Sequence, residues 1–205
     1  MNKTLLIILG VLALLILSAV STYNGLVGNS QAVDASWAQV QNVYQRRADL
    51  IPNLVQTVQG AANFEKSTIV QVTEARASVG KVQINQNQAP TDPAQLAQFQ
   101  QAQGQLGSAL SRLLVVAENY PDLKATANFR DLQSQLEGTE NRISVERGRF
   151  NAAVQAYNTK IRTFPTVIFA GMLGFQQKPY FQATAGAETT PAVKFDFGAA
   201  PTPAK

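Results

Sequence analysis

From Val33 to Ile161, apolar residues recur at spacings of three and four, and nothing in this stretch alternates with period two. Val33, Trp37, Val40, Tyr44 and Ala48 form one such stripe. Leu54, Val58, Ala61, Ile69, Val72 and Val79 form a second, and Leu96, Phe99, Leu106, Leu110, Leu113 and Ala117 a third. Phe129, Leu132, Leu136, Ile143, Phe150, Val154, Tyr157 and Ile161 make the fourth. A period of 3.6 residues places each set on one face of a helix, whereas strands need a period of two. The pattern predicts an all-α fold: four long amphipathic helices, joined by short links, in an antiparallel bundle.

The breaks between stripes carry helix punctuation. "QINQNQAPTD" (83–92) reads as a loop, with Asp92 as cap and Pro93 at the first position of the third helix. "NYPD" (119–122) reads as a turn, with Pro121 as a stop and Asp122 as the next cap. The last helix is expected over 123–164, roughly 60 Å at ~1.5 Å per residue, ending before Pro165. "YQRRADLIPNLV" (44–55) reads as a corner between helices one and two, far from the membrane. There Asp49 would cap helix two and Pro52 would sit in its first turn, where a missing N–H costs little. Tyr44 and Arg47 lie near the apolar stripe, and Arg46 points away from it.

Ahead of the stripes, "LLIILGVLALLILSAV" (5–20) is apolar and uncharged. With its flanks, roughly 20 residues are enough to cross a ~30 Å hydrocarbon core. Lys3 precedes it and no further Lys or Arg appears until Arg46, so charge bias puts the amino terminus in the cytoplasm and the body outside. "SAVS" (18–21) keeps a cleaved signal peptide open as an alternative to an uncleaved anchor. The expected organisation is an anchor at 1–22, a helical domain at 23–182 and a flexible tail at 183–205, rich in Ala, Thr, Gly and Pro, with Phe195 and Phe197 able to dock.

Polar residues interrupt the stripes. Glu65 and Arg76 fall among the apolar positions of the second helix, Gln103 does so on the third, and Arg147 lies beside the stripe of the fourth. Buried charges need partners. A crude antiparallel register pairs Arg76 with Glu146. The other reading puts these residues at the rim, their stems packed and their heads in water. The fourth helix ends on Lys160 and Arg162, pointing back toward the membrane, and is followed by apolar "PTVIFAGMLGF" (165–175). That segment either folds back over the bundle or lies at the membrane interface.

Composition removes most chemistry. The chain has no cysteine and no histidine, which excludes disulfides, thiolate metal sites and the commonest general base. No phosphate-binding Gly-rich loop and no nucleophile elbow is present. Glu137 and Glu140 stand at helical spacing, a pattern that usually marks a solvated face. The net charge of +4 is spread among acids, without the dense basic stripe that nucleic acid favours. The reading is therefore of no catalytic residue, no cofactor, no metal and no nucleic-acid partner.

"YNGLV" (23–27), Trp37, "RRADLIPNLVQTVQG" (46–60), "ARASV" (75–79), "ENYPDLKA" (118–125), "FRDLQSQLEGTENRI" (129–143), "YNTKIRTFP" (157–165) and "GFQQKPYF" (174–181) occur in an order that resembles the LemA family. The resemblance implies a single N-terminal transmembrane helix and a mostly helical bundle, and it does not imply an enzyme. Family members commonly carry a His before the Glu at 64–65; Phe64 stands here, which argues against a His-based metal or proton role. Some descriptions of the family place the amino terminus outside, opposite to the charge bias. The candidate interaction or structural residues are Trp37, Arg46, Arg47, Asp49, Pro52, Asn53, Glu65, Arg76, Glu118, Tyr120, Pro121 and Arg147. The expected partners are a bacterial cytoplasmic membrane, through the anchor, and proteins at its surface, copies of this chain among them. Direct work on lipid, as in membrane shaping or stress sensing, is the alternative, and a hydrolase built on Glu65, Glu137 and Glu140 a remote one.

Overall fold

The computed structural model describes residues 3–61, 65–82, 84–85 and 88–183. Among these, six helices and no strands are found: α1 (Lys3–Gln59), α2 (Lys66–Lys81), α3 (Pro93–Ala117), α4 (Pro121–Ala125), α5 (Ala127–Arg162) and α6 (Thr166–Met172). The all-α bundle expected from the periodicity is present. The tail beyond Ala183, with Phe195 and Phe197, lies outside the described residues, as does Phe64.

The four long helices run up, down, up and down. Trp37 meets Phe99 and Phe150, which sets α1 beside α3 and α5. Tyr23 meets Phe175 just past α6, so α5 and α6 return to the end from which α1 enters. Along α3 the buried positions Leu96, Phe99, Gln103, Leu106, Leu110, Leu113 and Ala117 alternate between three and four, with Ala102 buried beside Gln103. Those of α1 do the same from Val33 to Val58, with Leu50 buried beside Ile51. A mean spacing of 3.5 keeps one seam facing its neighbours along a whole rod, which suits packing at a shallow angle.

The most consequential departure is in α1. The expected corner at 48–52 does not form: α1 runs unbroken for 57 residues, about 85 Å, from the apolar segment through Pro52. Asp49 caps nothing; it is exposed and accepts from Gln45 Nε2 at 2.7 Å. The real break follows Gln59, where Gly60 and Ala61 turn the chain toward α2. A proline inside a helix leaves the carbonyl four residues earlier without its N–H partner. Here that carbonyl is Ala48 O, and it accepts from Arg76 Nε at 3.3 Å. The guanidinium of α2 takes the place of the missing backbone donor.

The expected last helix is also divided. Tyr120, not Asp122, occupies the cap before α4, Pro121 opens that helix rather than stopping one, and Thr126 interrupts the chain. Thr126 Oγ1 then caps α5 by accepting from Phe129 N. Asp92 and Pro93 behave as the sequence predicts, with the Asp92 carboxylate accepting from Ala94 N at 2.8 Å.

The core has two parts. Near the entry of α1, Trp37 is wholly buried among Phe99, Phe150 and Phe181. Farther out, Leu54, Val58, Val72, Leu106, Leu113 and Phe129 form a second, mostly aliphatic cluster. The first part of α1 has no such neighbours: Leu5 to Leu17 are exposed throughout.

Candidate functional site

Between the two core clusters lies a polar layer centred on Arg47. Its side chain is 3 % exposed, and its guanidinium ion-pairs with Glu140 at 2.8 Å. It also donates to Gln103, to the backbone carbonyl at 3.2 Å and to the side-chain oxygen. The guanidinium carbon stands 5.1 Å from the centre of the Tyr44 ring. Burial raises the Tyr44 hydroxyl above its ordinary pKa; nearby Arg147 and Arg47 oppose this, and Glu140 reinforces it. The layer joins α1, α3 and α5 and holds one cation in place. Such a layer fixes register more readily than it performs chemistry.

A second constellation fastens the chain after α6. Residues 175–183 run as an extended strap along α5. Asn158 Nδ2 donates to Lys178 O at 2.8 Å, while its Oδ1 accepts from Lys178 N at 2.9 Å. Asn151 makes the same pair with Phe181 O and N, at 3.0 and 2.9 Å. Gln100 of α3 repeats it on Gln182, at 3.0 and 3.4 Å. The spacing has a geometric cause. Seven helical residues rise ~10.5 Å and three extended residues span ~10 Å, so two amides two turns apart meet strap residues three apart. Each amide presents a donor and an acceptor, as a neighbouring strand would.

Lys178 then crosses to α1. Its Nζ contacts Asp34 Oδ1 at 2.8 Å, and both side chains are largely shielded. Asp34 Oδ1 also accepts from Ala89 N at 3.0 Å, which ties the α2–α3 loop to the same point. Lys178 Nζ lies 5.5 Å from the Tyr157 ring centre. Burial, helped by the Asp34 carboxylate, raises the Tyr157 hydroxyl.

The remaining candidates separate. Arg76 and Glu146 do not pair: Arg76 serves Ala48, and Glu146 joins Arg149 at 2.7 Å on its own helix. The exposed face of α2 puts Glu65 and Arg76 outside the core, because the helix starts only at Lys66 and is rotated away from the continuous stripe assumed from sequence. Glu65 accepts from Ser67 Oγ. Arg147 is half-buried over the Phe181 ring at 4.8 Å and donates to Gln182 O. Gln103 is buried, as its place in the stripe predicts. Arg46 and Asn53 are exposed on α1. Glu118 pairs with Lys124 at the outer end. There Tyr120 and Pro121, with Gln56, Thr57 and Asp122, line an open cleft of about 570 Å³. Among the described residues of its lining, Asp122 is the single carboxylate. Among the described residues no group of His, Cys, Asp or Glu is assembled that would hold a metal.

Sequence reasoning missed Asp34, Lys178, Asn151, Asn158 and Gln100. One signal was available: Asn151 and Asn158 lie next to the stripe positions Phe150 and Tyr157, seven residues apart on one face.

The segment 165–175 folds back on the bundle along one face only. Thr166 and Ala170 of α6 are buried on the bundle, while Val167, Ile168, Met172 and Leu173 are exposed. This helix lies beside α1 at Tyr23, just past the apolar run.

Known proteins place the chain. It is 27 % identical over 185 residues to magnetosome protein MamQ 2 of Paramagnetospirillum magneticum, covering 82 % of this chain and 67 % of that protein. It is 24 % identical over 186 residues to MamQ of Magnetospirillum gryphiswaldense, with the same coverage of each chain. Protein LemA of Metamycoplasma hominis is 24 % identical over 161 residues, covering 78 % of this chain and 69 % of that protein. The sequence model of the LemA family matches residues 36–195, from just before Trp37 to beyond the strap. With the helical bundle and the exposed apolar helix that leads into it, this match establishes that the chain belongs to the LemA family.

Proposed function

We propose that this protein is a membrane-anchored helical scaffold that binds protein partners at the bilayer surface and carries out no catalysis itself. One observation carries the reading. The exposed apolar segment and the Trp37 core belong to a single uninterrupted helix, so the anchor and the partner-binding body form one rod. A rod of this kind holds a surface at fixed height above a bilayer. The buried polar groups support the same reading, because Arg47 is engaged by Glu140 and Gln103, and Asp34 and Lys178 by each other. "Magnetosome protein", the description of three relatives, names no reaction.

In this reading residues 1–22 anchor, 23–182 form the working domain, and the amino terminus lies in the cytoplasm with the domain outside, following the absence of Lys and Arg between Lys3 and Arg46. Crosslinking in native membranes, followed by purification of the full chain, tests the function. A defined set of protein adducts is expected, and Arg46→Glu should remove part of it, since Arg46 is exposed on α1 away from the seam. A correctly inserted chain that yields no protein adduct would sink the scaffold. A topology reporter fused after Lys205 that is active only in the cytoplasm would overturn the orientation.

A further inference from the structure

We infer that α6, with Phe164 before it and the basic end of α5 beside it, is a second membrane contact: an interfacial wedge that rests in the headgroup layer of an anionic bilayer. The inference builds on the anchoring proposed above.

Height places it there. The apolar run of α1 ends at Val20, and Tyr23 is three residues, ~4.5 Å, farther along the helix. The polar layer on each side of a ~30 Å hydrocarbon core is ~5–7 Å deep. The Tyr23 ring meets the Phe175 ring at 6.0 Å, and the Lys160 side chain passes Gly25, where an added Cβ would stand 3.9 Å from it. If 5–20 crosses the bilayer, α6 and the end of α5 are held at headgroup depth by packing on α1.

Surface chemistry matches that depth. Phe164 is 80 % exposed and Met172 83 %, with Val167 and Ile168 between them and Leu173 just beyond also open. A monomeric surface seldom gathers such residues without a partner. Tyr23, half exposed at the same level, fits the aromatic belt. Lys160 and Arg162 stand in the last turn of α5, both exposed. No Asp or Glu occurs between 4 and 33, nor between 147 and 187. The two stretches that meet at this end of the bundle therefore contribute cations only, and Lys178 is paired with Asp34. Apolar side chains beside cations that meet no carboxylate among the described residues suit acyl chains and anionic headgroups together.

The chain has no cysteine, so single labels can be placed cleanly. An environment-sensitive fluorophore is attached at Met172→Cys, at Leu12→Cys in the anchor and at Val115→Cys, exposed on α3 toward the outer end. The full chain is reconstituted into nanodiscs of phosphatidylcholine, with or without phosphatidylglycerol, carrying quenchers at shallow or deep positions. Shallow quenching at Met172, deep quenching at Leu12 and none at Val115 are expected. Adding Lys160→Glu and Arg162→Glu should reduce the Met172 quenching severalfold in anionic discs. Leu12 quenched with Met172 as free as Val115 overturns the wedge and leaves the anchor standing. Met172 shielded from water yet unquenched by lipid also overturns it, and assigns the face to a second copy of the chain. Leu12 unquenched removes the anchor itself. Equal Met172 quenching after charge reversal overturns the anionic headgroup preference.

Discussion

Arg76 of α2 completes the backbone of α1 by donating to Ala48 O, the carbonyl that Pro52 leaves without a partner. A proline in mid-helix costs about 3 kcal/mol when nothing compensates. The two residues should therefore be energetically coupled. Arg76→Met is expected to destabilise the folded chain by about 0.5–1 kcal/mol, the range for one partly solvated hydrogen bond. In a Pro52→Ala background, where a backbone N–H is restored, most of that loss should vanish. Urea unfolding of the four variants in detergent measures the coupling, and an equal cost in both backgrounds would show that Arg76 acts elsewhere.

The Asp34–Lys178 pair predicts an asymmetry. Asp34→Asn strands a shielded ammonium group and should cost about 3–5 kcal/mol, whereas Asp34→Leu combined with Lys178→Met should cost much less. Thermal unfolding of the single and double variants distinguishes the two outcomes. A double variant as weak as the single one would mean that the pair contributes net stability.

Strap release should follow loss of its amide clasps. Asn158→Ala leaves the Lys178 N–H and carbonyl without their partner, at about 1–3 kcal/mol for each group left unsatisfied. Hydrogen exchange and proteolysis at 175–183 are expected to accelerate while the α3 and α5 amides stay protected. Asn158→Asp retains an acceptor for Lys178 N and should lie between wild type and Asn158→Ala. Unchanged exchange in the strap would show that Phe181 packing alone holds it.

Alkaline pH should loosen the core through its tyrosines. Tyr44 and Tyr157 both have hydroxyls raised above the ordinary value of 10.0 by burial. The unfolded chain then loses these protons first. Their contribution to stability is complete below pH 10 and declines from there up to the higher folded values. Denaturant titration between neutral pH and pH 11 should show this decline, flattened in Tyr44→Phe and further in Tyr44→Phe with Tyr157→Phe. A decline of equal steepness in the double variant would assign it to other groups.

Much of the fold is a local property, and local properties can be read in order along the chain. The spacing of Leu96, Phe99, Leu106, Leu110 and Leu113 determined α3, and Asp92 with Pro93 determined its start, because caps and apolar faces depend on residues within a turn or two. The apolar run at 5–20 determined the exposed end of α1 in the same way, and the ordered family motifs determined the family. Tertiary structure decided what happens to groups that local structure leaves unsatisfied. Asp49 and Pro52 carry every mark of a helix start, yet the helix passes through them because Arg76, 28 residues beyond Ala48, supplies the lost donor and the seam continues through Ile51 and Leu54. Glu140 looks like a solvated partner of Glu137 until Arg47, 93 residues earlier, is brought against it. Asp34 and Lys178 are 144 residues apart and meet only once α5 has returned to the entry of α1. A buried polar group must find a partner, and which residue answers is set by the register of whole helices rather than by its neighbours in sequence.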